Sequence, residues 1–267
     1  MGGGAIESEP RTRTILVDQV GSGRDLVLLH SLLTDYSAFD RMLPELVMHH
    51  RVTLVRLPGF GNSDPVADNI EEYADCLAAL FDALSLPRET DIMGNGFGGF
   101  VAVAFAVRHG ERFRRLLAID TGAGFPEGEI AAFRAMDETV SNKGMAGVLD
   151  PAVARLFPEN YRERHPGLVN ACKAALLRAN PAAFVNACRT LIKLDLREQV
   201  KEVKNPTLVV FGSEDAATPP PMNRELAALI PRAQLIELVD CGHAPQIQQP
   251  DVLLRAILPF LNAPTAA

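Results

Sequence analysis

The segment that decides the fold runs from Asp91 to Phe100 and reads DIMGNGFGGF. A short apolar strand enters a turn rich in glycine, and the turn opens directly into an apolar helix. This pattern is typical of a nucleophile elbow, in which small residues two positions before and after the apex let the strand and the helix approach closely. Gly94 and Gly98 hold those two positions. In the G-x-S-x-G pattern the apex is the nucleophilic serine, and here it is Gly96.

The same segment also fits a dinucleotide-binding fingerprint. Gly94, Gly96 and Gly99 spell G-x-G-x-x-G between a strand and a helix, and Asp120 ends the next apolar strand, where an acid would bind a ribose. This fingerprint normally follows the first strand of its unit, whereas here other strands come earlier in the chain. A dinucleotide-binding oxidoreductase is therefore the less favoured alternative.

Length, charge and cysteine spacing limit the class of protein. The chain has 267 residues, of which 48% are hydrophobic and 22% charged, as in a globular protein with a sizeable core. A net charge of −7 argues against nucleic acid or an anionic membrane as a partner. Neither a membrane span nor an apolar signal core is visible, so we expect a cytoplasmic protein. The four cysteines are widely spaced, so we expect reduced thiols and no metal.

Strands and helices alternate on both sides of the elbow. Strands are predicted at residues 13–20, 25–30, 51–57, 90–93, 114–120, 206–211 and 234–239. Helices are predicted at residues 37–48, 70–84, 97–108, 219–230 and 250–261. Such alternation predicts an α/β protein with a mostly parallel sheet and helices on both faces.

One long segment interrupts this alternation. Residues 122–204 contain no convincing strand, and prolines at positions 151, 166 and 181 stand where helices would begin. We therefore predict a core domain made of residues 11–121 and 205–267, with a helical cap of residues 122–204 inserted after the sixth strand.

Candidate catalytic groups follow the predicted strands at their carboxyl ends, where active residues of open parallel sheets lie. Asp215 closes the run Gly-Ser-Glu-Asp after one buried strand, and His243 stands in Gly-His-Ala-Pro after the last strand. The elbow, the acid and the histidine thus occur in the chain order of an elbow-type catalytic triad.

These motifs resemble those of the α/β-hydrolase fold family over residues 12–262. The segments that carry the resemblance are the elbow, LPGFGNSD at 57–64, PTLVVFGSED at 206–215 and CGHAPQIQQP at 241–250. Within that family the chain is similar to the 3-oxoadipate enol-lactonase group through HSLLTDYSAFD from His30, GMAGVLD from Gly144 and RTLIKLDLREQVKEVKNPTL from Arg189.

The resemblance implies roles for four residues. His243 matches the general base, Asp215 matches the acid that orients it, and the backbone N–H groups of Leu32 and Phe97 match the oxyanion hole. The departure is Gly96, because without a hydroxyl there no acyl-enzyme forms by the usual route. Asp120 is an alternative acid, since some members of the family take the acid from the strand after the elbow.

Other residues are candidates for binding a substrate. They are His30, Ser31, Phe133, Met136, Phe184 and Arg189. We expect His30 to brace the oxyanion loop, and nothing in the sequence around Ser31 suggests a nucleophile. Arg134, Arg189 and Lys193 of the cap could each pair with a carboxylate.

Three hypotheses about function remain open. The chain is a serine hydrolase whose apex serine is replaced by Gly96, or an enzyme whose His243–Asp215 dyad acts on water or on a substrate proton, or a non-catalytic ligand-binding protein. In the second case, the space left by the missing hydroxymethyl group could hold the water. The intact dyad favours the first two, because a decayed site would be free to lose it. The resemblance implies a small lactone, ester or enol substrate with a carboxylate, and no cofactor.

Overall fold

The computed structural model describes residues 13–264, and these form one seven-stranded sheet in the order β1-β3-β2-β4-β5-β6-β7. The strands are β1 (Val17–Gly21), β2 (Arg24–Leu29), β3 (His50–Val55), β4 (Asp91–Asn95), β5 (Arg115–Ile119), β6 (Thr207–Gly212) and β7 (Gln234–Leu238). β1 pairs antiparallel with β3, and every other pairing is parallel. The predicted mostly parallel sheet is confirmed.

Eleven α-helices lie within the described residues. They are α1 (Leu43–Leu46), α2 (Ile70–Ala83), α3 (Phe97–His109), α4 (Glu127–Lys143), α5 (Leu149–Leu156), α6 (Glu159–Arg164), α7 (Pro166–Leu177), α8 (Pro181–Lys193), α9 (Pro220–Leu229), α10 (Pro245–Gln248) and α11 (Pro250–Asn262). Short 3₁₀ helices cover Tyr36–Phe39, Gly110–Arg112, Met145–Val148 and Gln199–Glu202. None of the helices in residues 13–264 combines the length and the apolarity that a membrane crossing requires.

Both faces of the sheet are buried, which explains the continuous apolar run of β2. Val27 and Leu29 belong to one apolar cluster, whereas Leu26 and Leu28 belong to another on the opposite face. Successive side chains of a strand point to opposite faces, so a strand covered on both sides must be apolar throughout. The first cluster includes residues of α2, α3 and the inserted helices, and the second includes residues of α11 together with Cys241.

The inserted helical segment contains α4 to α8. Its two ends meet at an isolated bridge between Gly124 and Asp195, where the Leu196 N–H donates to Ala123 O over 2.6 Å. Within the described residues five strands precede the insertion, not the six we expected. The division into a core domain and a cap stays a prediction. Residues 11–12 and 265–267 of the predicted core, together with the N-terminal segment expected to lack a signal core, lie outside the described residues.

One predicted helix is wrong. Residues 37–48 do not form a single helix, because a 3₁₀ turn ends at Phe39 and α1 begins only at Leu43. Pro44 lies in the first turn of α1, and a proline has no N–H to continue a helix from the preceding residues. The first strand also begins at Val17 rather than at residue 13. The other elements lie where the sequence predicts them, with ends shifted by a few residues.

Candidate active site

The elbow has the backbone geometry that its glycines predict. β4 ends at Asn95 and α3 begins at Phe97, so Gly96 alone forms the apex, with φ 55° and ψ −118°. A positive φ of this kind is readily adopted only by glycine. A Cβ atom at Gly94 would overlap the carbonyl oxygen of Gly98, and one at Gly98 would overlap that of Leu29. The two flanking glycines therefore permit a close approach of backbones.

Asn95 ties the elbow to the loop that carries the histidine. Its Nδ2 donates to the carbonyl oxygen of His243 over 2.9 Å, and its Oδ1 accepts from Nε2 of Gln246 over 2.9 Å. All three residues are buried. Because a buried amide with its hydrogen bonds made holds a fixed orientation, the distance between the elbow and His243 is held as well.

His243 and Asp215 form a buried pair at the carboxyl ends of β6 and β7. The histidine Nδ1 lies 3.1 Å from Oδ1 and 3.0 Å from Oδ2 of the carboxylate. Asp215 also accepts from the N–H groups of Ala217 (2.7 Å) and Thr218 (3.0 Å) and from the Thr218 hydroxyl (2.6 Å). A proton on Nδ1 satisfies this arrangement, and it leaves Nε2 as a proton acceptor.

The environment of Asp215 keeps its carboxyl group ionised. Burial alone would raise the pKa of Asp215, but the adjacent His243 and the hydrogen bonds from His243 and Thr218 bring this pKa below its ordinary value. A carboxylate that is charged at neutral pH can orient the imidazole and stabilise its protonated form.

Asp120, the alternative acid, contacts a different group. Its Oδ1 accepts from the N–H of Gly212 over 2.8 Å, and its buried Oδ2 has no hydrogen-bond partner among residues 13–264. Burial first, and then the nearby charge of Asp215, raise the pKa of Asp120 well above its ordinary value. The carboxylate placed against the imidazole is therefore that of Asp215, not that of Asp120.

The hydroxyl of Ser31 lies against the other ring nitrogen of His243. Ser31 Oγ is 3.2 Å from Nε2, and the N–H of Leu33 approaches the same oxygen at 3.4 Å. A Cβ atom at Gly96 would overlap Ser31 Oγ and would lie 2.6 Å from Nε2. The expectation that the space beside Gly96 could hold a water is thus wrong, because this hydroxyl occupies it. Ser31 and His243 are 212 positions apart, so the sequence around Ser31 carried no signal of the contact.

Two residues with free backbone donors line the same cavity. Leu32 follows β2 and Phe97 is the first residue of α3, and within residues 13–264 neither N–H donates to a protein acceptor. The N–H of Phe97 also stands at the positive end of the helix dipole. Both residues border the cavity with Ser31 and His243. Fixed donors of this kind can stabilise the negative charge that develops on a carbonyl oxygen during acyl transfer.

His30 contacts the backbone on either side of it and does not line this cavity, and its role in binding a substrate stays a prediction. Its Nδ1 lies 2.9 Å from the carbonyl oxygen of Ser31, and its Nε2 accepts from the N–H of Leu57 over 3.3 Å. Burial lowers the pKa of His30, which favours the neutral ring that these two contacts require.

The cavity is narrow and mostly apolar, with a volume of about 20 Å³. One ordered water needs roughly 10–15 Å³, so this volume is that of about one water. The predicted Phe133 and Met136 line it, whereas Phe184 is buried in the cap away from it. The apolar lining residues are Leu32, Leu33, Phe97, Phe100, Phe125, Phe133, Met136, Leu191 and Ala217.

The cationic candidates of the cap lie elsewhere. Arg189 is exposed, and its Nε pairs with Asp137 over 2.8 Å. Lys193 pairs with Asp68 over 2.6 Å, and Arg134 is 61% exposed near Glu127. Arg189 does not line this cavity, and its role in binding a substrate stays a prediction.

Arg155 of α5 is the cation that lines the cavity, and sequence reasoning missed it. Its guanidinium donates to the carbonyl oxygen of Ala217 over 3.1 Å, and its side chain is 19% exposed. Glu129 stands 3.9 Å away, at the limit of an ion pair. Burial lowers the pKa of Arg155, since few charged groups offset the loss of water. Nothing in the local sequence separates Arg155 from the other arginines of the cap.

Known proteins share both the sequence pattern and the fold. A model of the alpha/beta hydrolase family matches residues 26–256. The 2-hydroxy-6-oxononadienedioate/2-hydroxy-6-oxononatrienedioate hydrolase of Cupriavidus pinatubonensis is 30% identical, over 92% of this chain and 89% of its own. The 3-oxoadipate enol-lactonase 2 of Acinetobacter baylyi is 25% identical, over 87% and 86%.

A solved structure gives the same result for the fold. The enol-lactonase of Burkholderia xenovorans superimposes with a TM-score of 0.86 and 27% identity, covering 94% of this chain and 96% of its own. Together with the elbow, the sheet order and the helical insertion, these matches establish that the chain belongs to the alpha/beta hydrolase family.

Proposed function

We propose that this protein hydrolyses a small ester, lactone or enol-type substrate, with His243 as the general base and Asp215 as the acid that orients it. The observation that carries the proposal is the buried His243–Asp215 pair, whose histidine lines a cavity together with Leu32 and Phe97, two residues with free backbone N–H groups. A base and two fixed oxyanion donors are the groups that acyl transfer to water requires, whether or not position 96 carries a hydroxyl.

A carboxylate on the substrate fits the wall of this cavity. One relative is named as a hydrolase of a nonadienedioate or nonatrienedioate, and another as a 3-oxoadipate enol-lactonase. The compounds in both names are carboxylates. In this chain Arg155 lines the cavity. The carboxylate of Glu129 lies 3.9 Å from its guanidinium, at the limit of an ion pair. A planar guanidinium binds a carboxylate with two parallel hydrogen bonds, so Arg155 would anchor the end of the substrate that does not react.

Two other functions receive less support. A dinucleotide-binding oxidoreductase would need Asp120 to reach a ribose, but this side chain is 0% exposed and bonded to Gly212. A non-catalytic binding protein has no need for a buried His243–Asp215 pair, because such a pair contributes little to holding a neutral ligand and is costly to bury.

The proposal is tested by turnover. We would measure hydrolysis of an enol-lactone and of p-nitrophenyl acetate by the natural chain, by His243→Ala and by His49→Ala, an exposed histidine that serves as the matched control. Loss of the general base should lower kcat/KM by about 10³-fold or more, while the control keeps the natural rate. Equal rates for the natural chain and His243→Ala, or no turnover by the natural chain, would overturn the proposed function.

A further inference from the structure

We propose that Ser31 is the nucleophile of this enzyme, in place of the residue at the elbow apex; this inference rests on the proposed function. Its Oγ lies 3.2 Å from Nε2 of His243, and the other ring nitrogen contacts Asp215 at 3.0 Å. Ser31, His243 and Asp215 thus form a continuous chain of hydroxyl, imidazole and carboxylate, which is the arrangement that activates a serine.

The position of the hydroxyl explains why the apex can be a glycine. A side chain at position 96 would begin at a Cβ atom that overlaps Ser31 Oγ. The two sites therefore compete for one space beside Nε2, and in this chain Ser31 occupies it. Gly96, with no side chain, leaves the hydroxyl free to reach the base.

Local structure explains only one of the two hydrogen-bond contacts of Ser31. The side chain is buried, with 1% of the residue exposed. Within the described residues its Oγ has two hydrogen-bond contacts, the His243 ring and the N–H of Leu33. The contact with the N–H of Leu33, two residues on, is that of a local serine turn, whereas the contact with the ring of His243 joins Ser31 to a distant loop. Here the proton has the basic Nε2 as its acceptor, and the Leu33 N–H can stabilise the oxygen as it becomes negative.

The oxyanion donors also fit an attack from this residue. In an elbow enzyme the N–H of the residue after the nucleophile is one donor of the hole. Leu32 follows Ser31 as Phe97 follows Gly96, and both amides are without a protein acceptor in the described part of the chain. A carbonyl carbon attacked by Ser31 would therefore have the same pair of amides available for its oxygen.

The reaction balances with water as the only co-reactant. Ser31 Oγ bonds to the carbonyl carbon while its proton passes to Nε2 of His243, and the oxyanion is held by the two amides. The intermediate then collapses, the C–O bond to the leaving alcohol or enol breaks, and that oxygen takes the proton from Nε2. Water next attacks the acyl-enzyme and gives a proton to Nε2, and the Ser31 ester bond breaks as Oγ regains that proton.

The experiment traps the acyl-enzyme. The natural chain is mixed with p-nitrophenyl acetate, quenched with acid during turnover and digested with trypsin, and fragment masses locate the acetyl group within the tryptic peptide 25–41, which holds both Ser31 and Ser37. We expect an acetyl group on Ser31, and none on Ser31 in His243→Ala. A chain that turns over with no acetyl group at Ser31 would overturn the inference.

Variants of Ser31 give a second, independent readout. Ser31→Ala should lose about 10³-fold or more of kcat, whereas Ser141→Ala, an exposed serine of α4, should keep the natural value. Ser31→Cys should retain an acyl intermediate and become sensitive to iodoacetamide. The natural chain is the control for this, because burial raises the pKa of Cys172 to about 11 and holds its thiol protonated.

The outcomes separate the two proposals. If Ser31→Ala keeps its rate while His243→Ala loses it, the dyad acts on water, so the inference fails and the proposed function stands. If both variants keep the natural rate, both fail. Thermal unfolding of each variant beside the natural chain shows whether a lost rate comes from lost folding instead, and a folded but inactive Ser31→Ala supports the inference.

Discussion

Oδ2 of Asp215 lies 3.0 Å from Nδ1 of His243. The buried carboxyl of Asp120, at the end of the neighbouring strand, instead accepts from the backbone N–H of Gly212. This contact predicts which acid serves the histidine. Asp215→Asn should lower kcat by about 10⁴-fold, because an amide in that place favours the wrong tautomer of the imidazole. The measurement is steady-state turnover of p-nitrophenyl acetate at neutral pH.

Asp120→Asn is the matched control for that experiment, since it makes the same change in a buried carboxyl at the end of the adjacent strand. We expect its kcat to stay within about tenfold of the natural value, because Asp120 makes no hydrogen bond to the imidazole of His243. A larger loss in Asp120→Asn than in Asp215→Asn would contradict the assignment and make Asp120 the orienting acid.

Asp120 should also make the folded state less stable as the pH rises. Burial and the charge of Asp215 raise its pKa in the folded protein well above the ordinary 3.8, so the folded state holds a proton that the unfolded chain releases. The contribution of Asp120 to stability is then fully present below about pH 3.8 and is lost as the pH rises through the folded pKa. Between the two pKa values, the free energy of unfolding falls by about 1.4 kcal/mol per pH unit.

Asp120→Asn removes this effect, because an amide imitates the protonated acid and can still accept from Gly212. In urea titrations across a range of pH, the variant should be more stable than the natural chain at neutral pH, and the difference should shrink as the pH falls towards 4. A difference that is constant with pH would show that Asp120 titrates at an ordinary pKa.

The sequence predicted the strands, turns and loops that form the site better than the side-chain contacts within it. The elbow, the strand alternation and the two loops that carry Asp215 and His243 follow local rules of glycine, apolar periodicity and strand ends, so they could be read in advance. The contact of Ser31 with His243 joins residues 212 positions apart. The place of Arg155 depends on how α5 packs over the core. Neither feature leaves a local pattern in the chain.

The break in the first predicted helix has a local cause instead. Residues 37–48 have a helical distribution of apolar side chains, but the 3₁₀ turn capped by Asp35 and the proline at the start of α1 divide the segment. The Asp35 side chain accepts from the N–H of Ser37. A proline and a cap of this kind override periodicity, since both act on the backbone donors directly.

A methyl group at the apex of the elbow should be costly. Gly96→Ala puts a Cβ on a residue with φ 55° and against Ser31 Oγ, so the free energy of unfolding should fall by about 1–3 kcal/mol. Gly128→Ala is the control, because a Cβ there meets no atom within 4 Å and the residue lies in α4. That control should be neutral or slightly stabilising, as alanine favours a helix.

A double-mutant cycle separates backbone strain from the contact with Ser31. In the Ser31→Ala background Gly96→Ala should cost less, with a coupling free energy of about 0.5–3 kcal/mol between the two positions. Chemical denaturation of the four proteins measures it. Strictly additive effects would mean that Ser31 Oγ does not occupy the space beside Gly96 in solution.

Arg155 should decide the preference for charged substrates. Arg155→Gln removes the guanidinium at the cavity but keeps a long polar side chain, so KM for a carboxylate-bearing lactone or ester should rise about 10- to 100-fold, as expected when a charged hydrogen bond of roughly 1.5–3 kcal/mol is lost. The KM for a neutral ester of similar size should change much less. Arg189→Gln is the matched control, because that arginine is exposed and paired with Asp137, and both its KM values should equal those of the natural chain. If Arg155→Gln raises KM equally for both substrates, the residue shapes the cavity and does not bind the carboxylate, since only an ion pair distinguishes a charged substrate from a neutral one.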